Sequence, residues 1–380
     1  MLPLFTRNRY RMRSAPNGHG IYAAPDSEKL LAGHPDETGH ARFPLSIPLP
    51  KGEGDEDSLR ELHVNIILLK TSSLGDVLHN LPVVTDIRGH LPDARIDWVV
   101  EESFAALPLL HPAINQVIPV AMRRWRKSWW RARGEMRAAC RGLRDARYDL
   151  ALDTQGLLKS ALIARCTAAV RCGFDWGSAR EPIASLLYDR SYCVAKNQHA
   201  VERNRQLAGQ ALGYTPQGAP DYGIRAPDLT LPWLPAEPYA VLLHATSRDD
   251  KLWAEPNWIA LGEYLMQRGV RVLLPWGDEP EKARSERLAS AIPGAICTPR
   301  LNLNEAAALL ARARAVIGVD TGLSHLAAAL GVPTIGIYTA TDPGLTGLYA
   351  GARAQNLGGK NTSPTVAEVG AAIEKAIGHD

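Results

Sequence analysis

Two doubly wound α/β domains in tandem are the fold class this sequence predicts, and three observations carry it. Short apolar runs suited to buried strands alternate with helical stretches. The alternation occurs twice along the chain, and a proline-rich stretch separates the two series. Such an alternation makes parallel sheets with crossover helices. Open sheets of this kind bind ligands at the carboxyl ends of their strands, and tandem domains place a cleft between them.

Residues 1–62 carry Pro, Gly, His and charge in no period, and 51–60 is almost wholly polar. They are expected to be a disordered extension, or an upstream translation start outside the folded part. They lack an apolar h-region with a cleavage site, so they do not read as a signal peptide. Order begins at Val64, with an apolar strand over 64–69, a loop over 70–75 and a helix over about 76–90. Strands over 95–100, 149–153 and 170–174 follow, with helical stretches such as 159–167 between them, completing a first Rossmann-like domain over 63–225. Pro220, Pro227, Pro232 and Pro235 mark the link. The second domain, 226–362, has strands over 239–244, 271–275, 315–319 and 334–338, with helices over 258–268 and 281–291. A last helix over 365–377, within residues 363–380, could cover either domain.

The composition suits a soluble protein: 380 residues, 46% hydrophobic, and no apolar run near the ~20 residues of a membrane span. A net charge of +3 gives a nucleic-acid partner no support. The five cysteines, Cys140, Cys166, Cys172, Cys193 and Cys297, are odd in number and contain no CxxC pair. They argue against a disulfide framework and against a zinc site, and fit a reducing cytosol.

Residues 315–341 read as strand, turn, helix and strand around an anion site. The strand 315–319 suits burial on both faces, Asp320-Thr321-Gly322 breaks it, and Gly331 and Pro333 end the helix. Unpaired N–H groups at that helix start, with the helix dipole, favour an anion. Asp320, Thr321, Ser324 and His325 crowd this end, and Thr341-Asp342-Pro343-Gly344 forms a second polar cluster. Helix capping explains one or two of these residues and leaves the rest over.

The loop Lys70-Thr71-Ser72-Ser73-Leu74-Gly75-Asp76 is neither a Walker motif nor a dinucleotide fingerprint. It leaves an acid, Asp76, at the crevice end of the first strand. Asp76 is either a favourable helix-start charge or a general base that takes a proton as a bond forms, with His79 the rival base. In the second domain Thr246 and Ser247 can donate to phosphate oxygens, and Lys251 can neutralise them. Asp249 and Asp250, beside Arg248 and Lys251, read as salt-bridged loop acids rather than metal ligands. Asp278, Glu279 and Glu281 offer a carboxylate for a ribose diol, or a solvated helix start. The segment 123–133 sets Arg and Lys among Trp, which suits nucleic acid, an anionic membrane surface or one acidic amphiphile, and best an anionic lipid head group; the plain alternative is a basic surface helix with Trp tucked into the core.

These clusters, in this order, resemble glycosyltransferase family 9, the bacterial ADP-heptose lipopolysaccharide heptosyltransferases. The likeness covers about residues 64–360 and is carried by KTSSLGDVLHNLP (70–82), DWVVEE (97–102), RRWRK (123–127), DTQGLLKS (153–160), AREP (179–182), HATSRDDKLW (244–253) and VDTGLSH (319–325). The resemblance implies a GT-B fold with an interdomain active-site cleft. It implies an inverting transfer of L-glycero-D-manno-heptose from ADP-L-glycero-β-D-manno-heptose to the inner Kdo of Kdo2-lipid A, in an α-1,5 linkage, during lipopolysaccharide core biosynthesis. The alternative within the family is transfer to a later core acceptor; a GT-B sugar-nucleotide epimerase is the more distant one. Carried over by motif, Asp76 is the general base. Thr246, Ser247 and Lys251 surround the pyrophosphate and heptose, Glu281 meets the ribose and Leu301 lies near the adenine. Asp320, Thr321, Gly322 and His325 form the donor-sugar and phosphate loop. Arg123, Arg124, Arg126, Lys127, Lys159 and Arg180 are the acceptor-binding cations. Ser247 stands where close relatives carry Thr, and Leu301 where a relative carries Met. No metal and no other cofactor is expected, with Mg2+ assistance left open. The expected place is the cytoplasm, peripherally on the anionic cytoplasmic face of the inner membrane.

Overall fold

A computed structural model describes residues 64–246 and 248–377, and the expectation for residues 1–62 lies outside them. The first half runs β1 (Asn65–Leu69), α1 (Leu74–Leu78), α2 (Leu81–His90), β2 (Arg95–Glu101), β3 (Gln116–Val120), α3 (Met122–Lys127), α4 (Trp129–Asp145), β4 (Leu150–Asp153), α5 (Leu158–Ala164), β5 (Val170–Phe174), β6 (Arg190–Tyr192) and α6 (Ala200–Leu212). The second runs β7 (Tyr239–Leu243), α7 (Glu255–Met266), β8 (Arg271–Leu274), α8 (Glu279–Ala291), β9 (Ile296–Cys297), α9 (Leu303–Ala311), β10 (Ala315–Val319), α10 (Gly322–Ala329), β11 (Thr334–Tyr338), α11 (Pro343–Thr346), β12 (Ala354–Gly358) and α12 (Val366–Ile377).

Within the described residues the strands form two six-stranded sheets, ordered β3-β2-β1-β4-β5-β6 and β12-β11-β10-β7-β8-β9. Every strand pairing is parallel. Each order is that of the doubly wound dinucleotide fold, so the expected α/β class with two Rossmann-like sheets is present. The order reverses between β1 and β4 in one sheet and between β7 and β10 in the other. Those two switch points receive the loops after Leu69, Asp153, Leu243 and Val319, the segments richest in polar motif residues.

Burial follows from the crossover topology. Central strands β1, β7, β10 and β11 are covered on both faces by helices and read as continuous apolar runs. One apolar cluster takes in Leu68 and Trp98 from the first sheet and Val241 and Leu326 from the second half, so the two halves share a core. The last helix, which could have covered either sheet, places Val369, Ile373 and Ala376 in the cluster around Trp253 and Trp258 of the second.

Two expectations are corrected. The helix expected over 76–90 is broken into α1 and α2 at His79-Asn80. Pro82 has no N–H to give the carbonyl four residues back, and its ring crowds that carbonyl, so one continuous helix is barred. The cysteine count argued against disulfides, yet Cys140 of α4 and Cys166 just after α5 are bonded, with Cα atoms 4.8 Å apart. Packing brings the chain just after α5 up to α4, which spacing along the chain does not show.

Candidate active site

Asp76 sits in the third position of α1, directly beyond the carboxyl end of β1. Its Oδ2 accepts the Ser73 backbone N–H at 2.9 Å and the Ser73 hydroxyl at 3.3 Å. Arg180, 104 residues further on, donates to the same oxygen at 3.3 Å. The carboxylate is therefore held in one orientation from two sides while its side chain stays partly accessible. Lys159 donates to Ser72 Oγ at 2.9 Å, so two of the six expected acceptor cations, Lys159 and Arg180, gather on the Asp76 loop.

Beneath them lies Lys70, which sequence reading passed over. It donates to the Thr154 carbonyl at 2.7 Å and to Asn204 Oδ1 at 3.3 Å, and burial is the main cause that lowers it to about 8. Lys70, Asp76, Arg180, Lys196, Arg203 and Leu345 line a cavity of about 210 Å³. Its chemistry is cationic around one carboxylate. The only sequence signal for Lys70 was its place at the end of a buried strand.

The other four cations lie on α3. Trp125 is buried and pins the helix, while Arg123, Arg124, Arg126 and Lys127 are exposed. Arg124 is not free: it bridges Glu102 at 3.2 Å and Glu135 at 2.8 Å. Arg123 stacks over Phe104, its guanidinium carbon 5.2 Å from the ring centre.

On the second sheet Asp320 gathers the expected donor residues. Lys251 Nζ donates to its Oδ2 at 2.7 Å, Thr341 Oγ1 to the same oxygen at 2.9 Å, and Thr246 Oγ1 to its carbonyl at 2.9 Å. Burial opposes ionisation of Asp320, but neighbouring His325 and the bonds from Lys251 and Thr341 outweigh it and hold the carboxyl well below its usual range. Thr321 is the N-cap of α10 and Gly322 its first residue. Gly331 ends the helix in the left-handed region at φ 77°, as the sequence led us to expect. Ser247 lies outside the described residues. Asp250 is salt-bridged to Arg248, as expected of loop acids. Among the described residues no group of three or more His, Cys, Asp or Glu side chains is placed to hold a metal ion.

Glu281 lies in the first turn of α8, where its Oε2 accepts the Gly277 backbone N–H at 2.7 Å. Asp278 caps that helix by accepting from Glu281 N at 3.0 Å. Asp278 and Glu281 are thus both engaged at the start of this helix, which fits the helix-start reading of these acids. Leu301 is half-buried and packs at the edge of the shared core.

The two clusters face each other because α1 and α10 are in contact. A Cβ on Gly322 would lie 2.3 Å from Leu74 Cδ2, and one on Gly75 would lie 3.5 Å from His325 Cδ2. At this contact, His79 Nε2 and His325 Nδ1 are 3.3 Å apart. His79, the rival base, is buried with its ring against His325 and His199.

The sequence model of glycosyltransferase family 9 (heptosyltransferase) matches residues 136–373. Lipopolysaccharide heptosyltransferase 1 of Salmonella typhimurium is 48% identical over 290 residues, 75% of this chain and 92% of that protein. The fold is similar to that of the solved E. coli heptosyltransferase WaaC with ADP, at TM-score 0.76 and 44% identity, covering 82% of this chain and all of that one. The same enzyme solved with ADP-2-deoxy-2-fluoro heptose matches at TM-score 0.74 and 42% identity, covering 82% of this chain and 99% of that one.

Proposed function

The chain belongs to glycosyltransferase family 9, the heptosyltransferases, and from that premise we propose that it transfers L-glycero-D-manno-heptose from ADP-heptose to the inner Kdo of Kdo2-lipid A, inverting the anomeric centre to form an α-1,5 linkage. The observation that carries the reading is the facing pair of half-sites: Asp76 on α1, and Lys251, Thr246 and the Asp320 loop at the start of α10. A displacement needs a proton acceptor on one side of the anomeric carbon and stabilised leaving-group charge on the other. The acceptor hydroxyl oxygen attacks that carbon as its proton passes to Asp76, which Ser73 and Arg180 orient. The bond to the pyrophosphate oxygen breaks with its electron pair, and the new charge meets the Lys251 ammonium, the Thr246 hydroxyl and the N-terminus of α10. Glu281 would receive the ribose and Leu301 the adenine. Leaving-group charge is met by side chains and backbone, so transfer is expected to persist in EDTA.

Support for an anionic, amphiphilic acceptor comes from the first half. The cavity beside Asp76 carries Lys70, Arg180, Lys196 and Arg203. Next to it Leu158 and Leu162 of α5 and Ile183 and Leu186 of the packed segment Pro182–Leu187 stand exposed, the last at 69%. Trp129 and Trp130 are exposed at the start of α4, beside Arg126 and Lys127. Apolar surface rimmed by cations suits a lipid whose head group is acidic, and a peripheral position on an anionic leaflet. Among the described residues no helix is long and apolar enough to cross a membrane.

The test is to incubate the protein with ADP-heptose and Kdo2-lipid A and to seek, by mass spectrometry, one added heptose. An unmodified acceptor would reject the reading. Transfer only to an already heptosylated acceptor would move the enzyme to a later step.

A further inference from the structure

Three buried imidazoles join the two half-sites, and the displacement described above leaves two of them, His79 and His199, without a task. His79 stands between α1 and α2, edge-on to His325 with ring centres 4.7 Å apart and edge-on to His199 at 5.2 Å. His199 caps α6: its Nδ1 accepts the Val201 N–H at 3.2 Å, which leaves Nε2 to donate to the Gly347 carbonyl at 3.1 Å. At the far end, His325 Nε2 faces Asp320 Oδ1 at 3.9 Å, close enough for its charge distribution to matter but too long for a full hydrogen bond. Burial, before any neighbouring charge, drives His79 well below its ordinary value and brings His199 to about 4, so both are neutral. Lys70 and Asp320 are the charged groups that bear on His79.

We infer that His79 donates from Nε2 to Nδ1 of His325, and so fixes His325 in the tautomer that presents an N–H from Nε2 to the Asp320 loop. Only one proton lies between Nε2 of His79 and Nδ1 of His325, and the surroundings decide which ring carries it. Were His325 the donor, His79 would carry its own proton on Nδ1, a buried atom with no hydrogen-bond partner. A buried N–H without an acceptor is costly and rare. A neutral His325 would also turn a bare lone pair from Nε2 toward the Asp320 carboxylate. The opposite polarity removes both penalties: the orphan atom of His79 is then a lone pair, and His325 turns an N–H toward Asp320.

His79 is thus a positioning residue. It belongs to the acceptor half and sets the polarity of a side chain in the donor half, across the contact of α1 with α10. The consequence for catalysis rests on the reading that ADP-heptose binds at the Asp320 loop, where an N–H suits a pyrophosphate or sugar oxygen and a lone pair repels it. The tautomer assignment itself does not depend on that reading.

The experiment is long-range 15N–1H NMR of the full chain labelled at histidine, with His325→Asn used to assign its signals. In the wild-type protein both His79 and His325 are expected to carry their proton on Nε2. His79→Phe keeps the ring and removes both nitrogens. It is expected to mix the tautomers of His325 and to lower kcat by roughly tenfold with little change in the KM for ADP-heptose. His79→Gln restores a donor near the Nε2 position and is expected to recover the Nε2–H tautomer and most of kcat. A wild-type spectrum with either proton on Nδ1 overturns the inference. So does a folded His79→Phe protein whose His325 tautomer and kcat are unchanged. Should His79→Phe not fold, the wild-type spectrum and His79→Gln decide. A protein with the assigned tautomers but no heptosyl transfer would refute the proposed function and leave the inference standing.

Discussion

Gly322→Ala should weaken the enzyme through geometry alone, because the first residue of α10 touches the first residue of α1. A Cβ at 322 would meet Leu74 at 2.3 Å from Cδ2, 2.9 Å from Cγ and 2.8 Å from Cβ. The first two contacts belong to a side chain that can change rotamer. The third does not, since a Cβ is carried by the backbone. Carbon atoms separate to about 3.5 Å, so α1 must retreat by roughly 0.7 Å from the 2.8 Å contact. Overpacking of this kind costs about 1–3 kcal/mol. Asp76 rides on α1, and a misplacement of ~1 Å at a reacting centre costs on the order of 10²-fold, so kcat should fall about tenfold or more. Steady-state ADP release at saturating acceptor, together with thermal unfolding, measures both effects. Adding Leu74→Ala removes Cγ and Cδ2 but keeps Cβ, so it should recover only part of the loss; Leu74→Gly should recover more of kcat at some expense in helix stability. A Gly322→Ala enzyme with wild-type kcat and melting temperature would refute the reasoning, as would complete recovery by Leu74→Ala.

Three further outcomes are expected. Asp76→Ala should abolish transfer while ADP-heptose binding, followed by calorimetry, stays within a factor of about three, because the donor contacts lie on the other sheet; a variant that still transfers would remove Asp76 from the base role. Arg124→Ala should leave the melting temperature nearly unchanged, since its partners Glu102 and Glu135 are exposed, yet raise the KM for a Kdo-bearing acceptor and flatten its salt dependence; an unaltered acceptor KM would count against its role. Lys70 keeps its proton in the unfolded chain to near its ordinary 10.5, but in the folded protein only to about 8. Between those values the unfolded chain binds the extra proton, so rising pH favours folding, and the burial penalty that is complete below pH 8 is relieved. Urea unfolding of Lys70→Met should therefore gain on the wild type below pH 8, and the gap should narrow from there to about 10.5; a gap independent of pH would show that burial of this charge is not what destabilises.

The motif from β10 to β11 was legible because local physics decides it. A strand buried on both faces must be apolar, Thr321 takes the extended backbone that lets a helix begin, and Gly331 and Pro333 stop the helix wherever it packs. The outer strands were not legible: β9 spans two residues and β12 is mostly half-exposed, so neither carries a periodic apolar pattern. The break at Pro82 was written in the chain and outweighed by the apolar run around it.

By itself, then, the sequence determined two parallel sheets, the loops at their switch points and the residue types offered there, because burial pattern and turn chemistry act over a few residues. Tertiary structure alone decided which of those residues meet. Arg180 reaches Asp76 across 104 positions, and His79 reaches His325 across 246. Cys140 reaches Cys166 because the fold brings the chain just after α5 up to α4. Such pairs depend on helix crossings and on a glycine at 322 that lets α1 approach α10, and no local period encodes the distance between two elements that pack from opposite halves of a chain.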